Sequence, residues 1–460
     1  MSTHGEPRLS CPYVQRAEKV FPGGSINVLQ LPPAERFVVA RAQGARVWDE
    51  NGREYIDLVM GSGPLILGHA HPAVREAVRA QAELGTTYYQ VSKPAVELAE
   101  AILEAFPGAE KLRFTSDGSD ATYMAVRLAR AATGRRRVLK FEGGFHGSHD
   151  MSMISLSSKG EPAFPRGVPS SAGVSPAAVD DVLVAPFNDL AETARIARDH
   201  RDELAAIIVE PVQRDIAPEP GFLQGLRRLA DEMGCLLIFD EVVTGFRFRY
   251  GGVQELFGVR ADLTCLGKII GGGLPLAAVV GPADILDLCV PGAGRLPVYL
   301  SGTLFGNPLA AAAGLATLAE LRREGVYQRL AALGQRLRSG MEQVLAEAGV
   351  TGTVTGMGSM FHMHFAPGPI RNYRDTQRGD GAALRDVHLG LLRRGVYVNP
   401  GAKGYLSLAH EERDLDLVLE ALAASVADVA PRLRQLAAGS GRPARGAPAS
   451  CPARMPGSEP

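Results

Sequence analysis

The sequence predicts an α/β fold, a large domain on a mainly parallel sheet with a smaller α+β domain joined to it. Two observations carry this. Between Pro72 and about Leu321, the apolar strand-like runs Leu112–Ser116, Val138–Phe141, Ala205–Glu210 and Cys235–Asp240 alternate with helical stretches. That alternation implies βαβ units. Beyond Leu321, helices rich in Ala, Leu and Arg flank strand-like Ser359–Phe365 and Gly395–Val398, which fits a second, smaller unit.

Taken in chain order, residues 1–71 form an N-terminal arm or small-domain segment. Within it Arg46–Ile56 places apolar and polar residues on both sides of an Asn51-Gly52 turn and reads as a hairpin. Residues 72–321 form the large domain and residues 322–438 the C-terminal small domain. The tail 439–460, heavy in Gly, Pro, Ala and Ser, is expected to be disordered. No internal repeat is visible.

The chain of 460 residues is 46% hydrophobic with a net charge of -1, enough apolar content for a substantial core. Near-neutral charge leaves no footprint for nucleic acid or an anionic membrane, so small-molecule chemistry is favoured. Cys11, Cys235, Cys265, Cys289 and Cys451 are odd in number and scattered, which suits a reducing, cytoplasmic setting. The N-terminus is polar and no apolar run approaches a bilayer span, so neither export nor a membrane partner is expected. His69-Ala-His71 and His362-Met-His364 alternate without further ligands close in sequence, so no metal is expected.

In open parallel sheets ligands sit beyond the carboxyl ends of the strands. Lys268 stands in such a place, in the run Asp262-Leu-Thr-Cys-Leu-Gly-Lys-Ile-Ile-Gly-Gly-Gly273, with Asp240-Glu241 closing an apolar run upstream. Taken alone, Gly267-Lys268 reads as an exposed turn. A nucleotide-hydrolase phosphate loop is excluded, because Asp262 and Ile269 replace the required glycine and hydroxyl residue. A lysine among glycines with a carboxylate nearby could also hold an aldehyde cofactor as a Schiff base. A carboxylate desolvated at a strand end has to be paired, and a pyridinium nitrogen is a fitting partner for Asp240.

Three further strand ends are informative. After Ser116, Asp117-Gly-Ser-Asp-Ala121 opens a helical run, Thr122 to Ala132, whose free N–H groups suit a phosphate; plain capping by Ser119 is the competing reading. After Phe141, Glu142-Gly-Gly-Phe-His-Gly147 lets backbone pass close to a ligand while Phe145 offers an aromatic face, although His146 alone reads as a loop histidine. After Val209 come Glu210-Pro211-Val212-Gln213.

The ordered set of phrases resembles the class III, fold-type I pyridoxal-phosphate aminotransferases, most closely the branch containing glutamate-1-semialdehyde aminomutase. It includes Phe21-Pro-Gly-Gly24, Leu67-Gly-His-Ala-His-Pro72, His146-Gly147, Val209-Glu-Pro-Val212, Ile238-Phe-Asp-Glu-Val242, Thr244-Gly-Phe-Arg247, Leu266–Gly273 and Ser301-Gly-Thr303 with Gly306-Asn-Pro308. The resemblance implies pyridoxal 5'-phosphate as cofactor, Lys268 as its Schiff-base lysine and Asp240 as the carboxylate that keeps the ring nitrogen protonated. It implies that Phe145 stacks on the ring, Val242 packs on the other face, Gln213 reaches the phenolic oxygen, His146 lies at the cofactor, and Gly118 and Ser119 cradle the phosphate. Thr303 matches a residue that reaches the neighbouring subunit's cofactor, which implies a homodimer with shared active sites.

Departures from the aminomutase pattern bear on substrate. Gln30 stands where that branch carries a carboxylate-gripping arginine, Ser62-Gly63-Pro64 lacks a tryptophan, and Ala402 replaces a glutamate ahead of Ser407-Leu-Ala-His410. Met151–Glu161 corresponds to the branch's Gly-Ser-rich mobile loop, and Asp117 adds a negative charge to the phosphate cradle. Gln30, Ser62 and Glu210 are the candidate substrate-facing positions. The expectation is an aminotransferase with a donor such as glutamate or glutamine and a polar carbonyl acceptor, such as an oxidised amino sugar or aminoglycoside of antibiotic biosynthesis. A glutamate-1-semialdehyde 2,1-aminomutase, a cofactor-dependent epimerase and a catalytically silent scaffold are the alternatives.

Overall fold

The run Leu204–Val209 is apolar without a break because both of its faces are covered. Ala206 and Ile208 pack on one side against Ala121, Ala125, Leu128 and Ala129 of the helix Gly118–Thr133. Ile207 and Val209 pack on the other side with Phe222, Leu226 and Leu229 of the helix Phe222–Met233. Period-two alternation sorts the side chains, and helices on both faces are the ordinary surroundings of parallel strands.

The computed structural model describes residues 11–27, 31–157, 160–292 and 296–439. Among them the strands are β1 (Val39–Gln43), β2 (Arg46–Asp49), β3 (Glu54–Asp57), β4 (Lys111–Thr115), β5 (Arg137–Phe141), β6 (Val182–Ala185), β7 (Leu204–Val209), β8 (Leu236–Glu241), β9 (Leu263–Leu266), β10 (Ala277–Gly281), β11 (Thr353–Thr355), β12 (Met360–His364), β13 (Val396–Tyr397) and β14 (Gly404–Tyr405). Seven of these form one sheet in the order β4-β10-β9-β8-β7-β5-β6. Pairings from β6 through β9 are parallel, and β10 runs antiparallel to both β9 and β4. The α/β architecture on a mainly parallel sheet is therefore what the chain adopts. Sequence reading did not single out β10, whose small apolar residues follow directly on the glycine turn after Lys268.

Two smaller sheets are assembled from distant parts of the chain. β2 and β3 form the expected hairpin, with Asp49 Oδ1 accepting from Asn51 N at 3.0 Å and Arg53 N at 2.9 Å, and with Gly52 at a φ of 79°. β13 adds in parallel to β3, and β12 lies between β11 and β14. Ile56 and Leu58 pack with Leu337, Val396, Leu406 and Leu415, so N-terminal and C-terminal segments share one core. His69 Nε2 lies 2.7 Å from Asp57 Oδ2 in this region. No helix among the described residues is long and apolar enough to cross a membrane. The expectation for the tail beyond Gly439 lies outside the described residues.

Candidate active site

The carboxyl ends of β5, β7, β8 and β9 converge, and the structure brings most of the singled-out residues to them. Asp240 is the penultimate residue of β8 and is buried. Its Oδ2 lies 2.8 Å from His146 Nδ1, and its Oδ1 accepts from Val242 N at 3.1 Å. Burial pushes the Asp240 carboxyl up to about 7, against the pull of the Val242 N–H and of Lys268. Burial also holds His146 down to about 3, so the ring is neutral and its Nδ1–H donates to the carboxylate. His146 thus positions Asp240, while its Nε2 is buried without a partner.

Lys268 opens a short 3-10 turn, Lys268–Gly271, directly after β9 and Gly267. Its φ of 49° is left-handed, which a lysine adopts only where its surroundings impose it. The amine is held below its ordinary range, chiefly by burial, with Arg247 and Lys403 adding like charge and with Tyr405 and Asp240 opposing. Among the described residues the amine has no hydrogen-bond partner. It is an amine available as a nucleophile and proton carrier, and the nearby Asp240 carboxyl makes no ion pair with Lys or Arg among the described residues.

The helix Gly118–Thr133 starts earlier than the expected Thr122, and its cap is Asp117, which accepts from Asp120 N at 3.0 Å. Ser119 therefore does not cap. It sits in the first turn, where its Oγ accepts from Ser148 N at 3.1 Å. A Cβ at Gly118 would lie 2.8 Å from Val242 Cγ1, and one at Gly147 would lie 2.5 Å from Ser119 Cα. These two glycines let the helix start, Val242 and the His146-Gly147 turn come together. First-turn N–H groups lack helical acceptors, so a phosphate suits this end despite Asp117.

Phe145 is half-exposed, and its backbone N–H donates to Glu210 Oε1 at 2.8 Å. Glu210 Oε2 accepts from Arg214 N at 3.3 Å. With both oxygens tied to backbone, Glu210 fixes the Phe145 and Arg214 segments. Gln213 Nε2 donates to Glu142 O at 2.8 Å and its Oε1 is buried without a partner. A buried carboxyl without a Lys or Arg ion pair among the described residues, an amine without a hydrogen-bond partner among them, a half-exposed aromatic face and a glycine-lined helix start fit a phosphorylated pyridine aldehyde.

Other residues lie elsewhere or carry no contact here. Thr303 is exposed in the turn before Asn307. Ser62 is exposed at a φ of 68° on the loop whose Gly63 O accepts from Arg247 Nη2. Gln30 lies outside the described residues. Met151–Ser157, the start of the segment matched to a mobile loop, is held down: Ser152, Ile154 and Ser155 are buried, and Lys140 Nζ donates to Ser152 O at 2.8 Å and Ile154 O at 2.6 Å.

Sequence reading missed several residues of the site. Arg247 is fully buried, donates to Val243 O at 2.7 Å and stands 5.0 Å over the Tyr405 ring. Arg214, at a φ of 61°, places its guanidinium 5.7 Å from the Phe145 ring centroid. Lys403 donates to Arg214 O and is held down to about 8, by burial first and then by Arg214. Arg247 was legible only as part of a phrase, and Arg214 and Lys403 carry no local signal. His362 and His364, expected to lack a third ligand, meet Asp215, which precedes His364 by 149 residues.

The model of the aminotransferase class-III family matches residues 31–410. The chain is 42% identical over 413 residues to glutamate-1-semialdehyde 2,1-aminomutase of Desulfitobacterium hafniense (strain DSM 10664 / DCB-2), covering 88% of this chain and 95% of that protein. It is similar to the crystal structure of an omega-transaminase from Sphaerobacter thermophilus, with a TM-score of 0.86 and 39% identity over 91% of this chain and 97% of that one. It is also similar to a glutamate-1-semialdehyde-aminomutase from Pseudomonas aeruginosa PAO1, with a TM-score of 0.82 and 29% identity over 91% of this chain and 94% of that one.

Proposed function

The chain belongs to the class-III aminotransferase family, and from that premise we propose that it moves an amino group from a carboxylate-bearing donor, glutamate foremost, to a carbonyl acceptor. Its fold is the fold-type I α/β architecture and its cofactor is pyridoxal 5'-phosphate. When bound, that cofactor supplies an aldehyde that takes up amines and a pyridinium ring that draws off electrons as a neighbouring C–H bond breaks.

The chain's own residues divide the remaining work. Asp240 holds positive charge at the ring nitrogen, and His146 and the Val242 N–H keep its carboxylate oriented. Phe145, fixed through Glu210, would cover one face and Val242 the other. Gly118 and Ser119 would present backbone N–H groups to the phosphate. Lys268 Nζ would accept a proton at the donor carbon and return it one position away, and its lowered pKa favours the neutral amine that a base requires.

The observation that carries the donor class is the cationic lining. Arg247 and Lys403 are the like-charged neighbours of Lys268, and Arg214 adjoins Lys403. Such a lining attracts carboxylates and repels a polycationic sugar, so the expected amino-sugar acceptor gains no support from it. Spectral half-reactions test this. Glutamate should discharge the visible absorbance of the loaded enzyme, and Arg214→Ala and Lys403→Ala should each raise its KM about tenfold with a smaller change in kcat. Faster discharge by an aminoglycoside than by glutamate would overturn the reading.

A second reading, glutamate-1-semialdehyde 2,1-aminomutase, is favoured by the name of the 42% identical relative. Against it stands the pinned start of the Met151–Glu161 segment, since internal rearrangement requires the intermediate to be retained. Fast turnover of glutamate-1-semialdehyde without an added acceptor would decide for it. A homodimer is supported by the exposed Tyr89, Tyr299 and Leu304 around Ser301 and Thr303, with Tyr89 OH 3.4 Å from Ser301 Oγ.

A further inference from the structure

We propose that Asp215, His362 and His364 form a divalent-cation site, suited to Zn²⁺, that clamps β12 to the segment following Gln213. The site adjoins the pocket through Arg214, the residue before Asp215, and it stands whether or not the amino-transfer reading does.

Its origin is plain in the chain. His362 and His364 alternate on β12 and so project from one face. Asp215 lies in the turn closed by Gln213 and Ile216, which brings its carboxylate up against that face. Asp215 Oδ2 is 2.9 Å from His364 Nε2, and Oδ1 is 3.3 Å from His362 Nδ1. The candidate ligand atoms all lie within 4.8 Å of one another. Ligands at 2.0–2.1 Å from a tetrahedral zinc stand about 3.3 Å apart, so the two Asp215–imidazole separations already suit an ion, and the widest separation closes by at most about 1.5 Å.

Hydrogen bonding satisfies the cluster only in part. His364 Nε2 also lies 3.1 Å from Thr355 Oγ1, which in turn donates to Asp215 Oδ2 at 2.6 Å. His362 is different. Both of its ring nitrogens are sealed from solvent: Nδ1 faces Asp215 Oδ1 at 3.3 Å without hydrogen-bond geometry, and Nε2 has no partner among the described residues, with the His364 ring 4.3 Å away. Buried imidazole nitrogens without partners are unfavourable unless something accepts their lone pairs. Two imidazoles and a carboxylate form a borderline-soft donor set that prefers zinc to magnesium or calcium, with Thr355 Oγ1 or water for the fourth position.

The test uses the tag-free, cofactor-loaded full chain, stripped with a chelator and titrated with Zn²⁺ or Co²⁺. Uptake of one ion per chain is expected, with tetrahedral Co²⁺ bands and a rise of a few degrees in thermal midpoint at about a hundredfold excess over Kd. Asp215→Asn and His362→Gln should each abolish uptake. X-ray absorption at the zinc edge of the unmutated chain should show two imidazoles and light-atom ligands without sulfur, a readout that depends on no variant. Failure of the stripped chain to take up either ion, a sulfur-rich shell, or uptake unchanged in His362→Gln would each overturn the site.

Discussion

His146 Nδ1 donates to Asp240 Oδ2 across 2.8 Å, and both side chains are buried. Hydrogen bonds to charged groups contribute about 1.5–3 kcal/mol. Replacing His146 with Leu leaves Asp240 with the Val242 N–H as its remaining donor. The Kd for pyridoxal 5'-phosphate, titrated by absorbance into the cofactor-free chain, should rise by about tenfold to a hundredfold. A Kd within twofold of the parent would remove His146 from the positioning of Asp240.

Asp240 also sets a pH dependence in the cofactor-free chain. Its folded pKa of about 7 lies above the ordinary carboxyl value of about 3.9, so the folded state holds the proton more tightly than the unfolded one. The stability this confers is complete below about pH 4 and is lost as pH rises to about 7. Asp240→Asn does not titrate, so its thermal midpoint should gain on the parent's across that window. A constant difference from pH 4 to 7 would refute the raised pKa.

Lys268→Ala should lower turnover by at least about 10²–10⁴-fold, the range for a general acid–base group, and should abolish the visible absorbance of the loaded enzyme. Stability should not fall, because the lost amine is a desolvated group without a hydrogen-bond partner among the described residues. A yellow, active variant would end the functional reading.

Gly118→Ala places a methyl 2.8 Å from Val242 Cγ1 and 3.0 Å from Cγ2. Overpacking of this kind costs about 1–3 kcal/mol. Thermal stability and cofactor affinity should both drop, and Val242→Ala in the same chain should restore much of the affinity. If the double variant binds no better than Gly118→Ala, the cradle is not set by this contact.

The parallel strands were legible because fully covered strands read as unbroken apolar runs, and the glycine turns after them marked where backbone and ligand approach. Lys268, Asp240, Phe145 and Gly118 could be named on that basis and through the family resemblance. Asp117 as cap was misjudged in favour of Ser119, since either residue type satisfies a helix start and only the backbone path chooses between them.

Residue order alone determined the α/β class, the strand ends that meet at the site, and the amine and carboxylate that give it chemistry. Local signals suffice there, because each is written in a few neighbouring residues. Tertiary structure decided which groups face one another across long separations: His146 against Asp240, Arg214 and Lys403 beside the Lys268 pocket, and Asp215 against His362 and His364. Burial then reset their protonation, lowering Lys268 and raising Asp240. Desolvation depends on what packs around a charge, and that is a property of the folded chain.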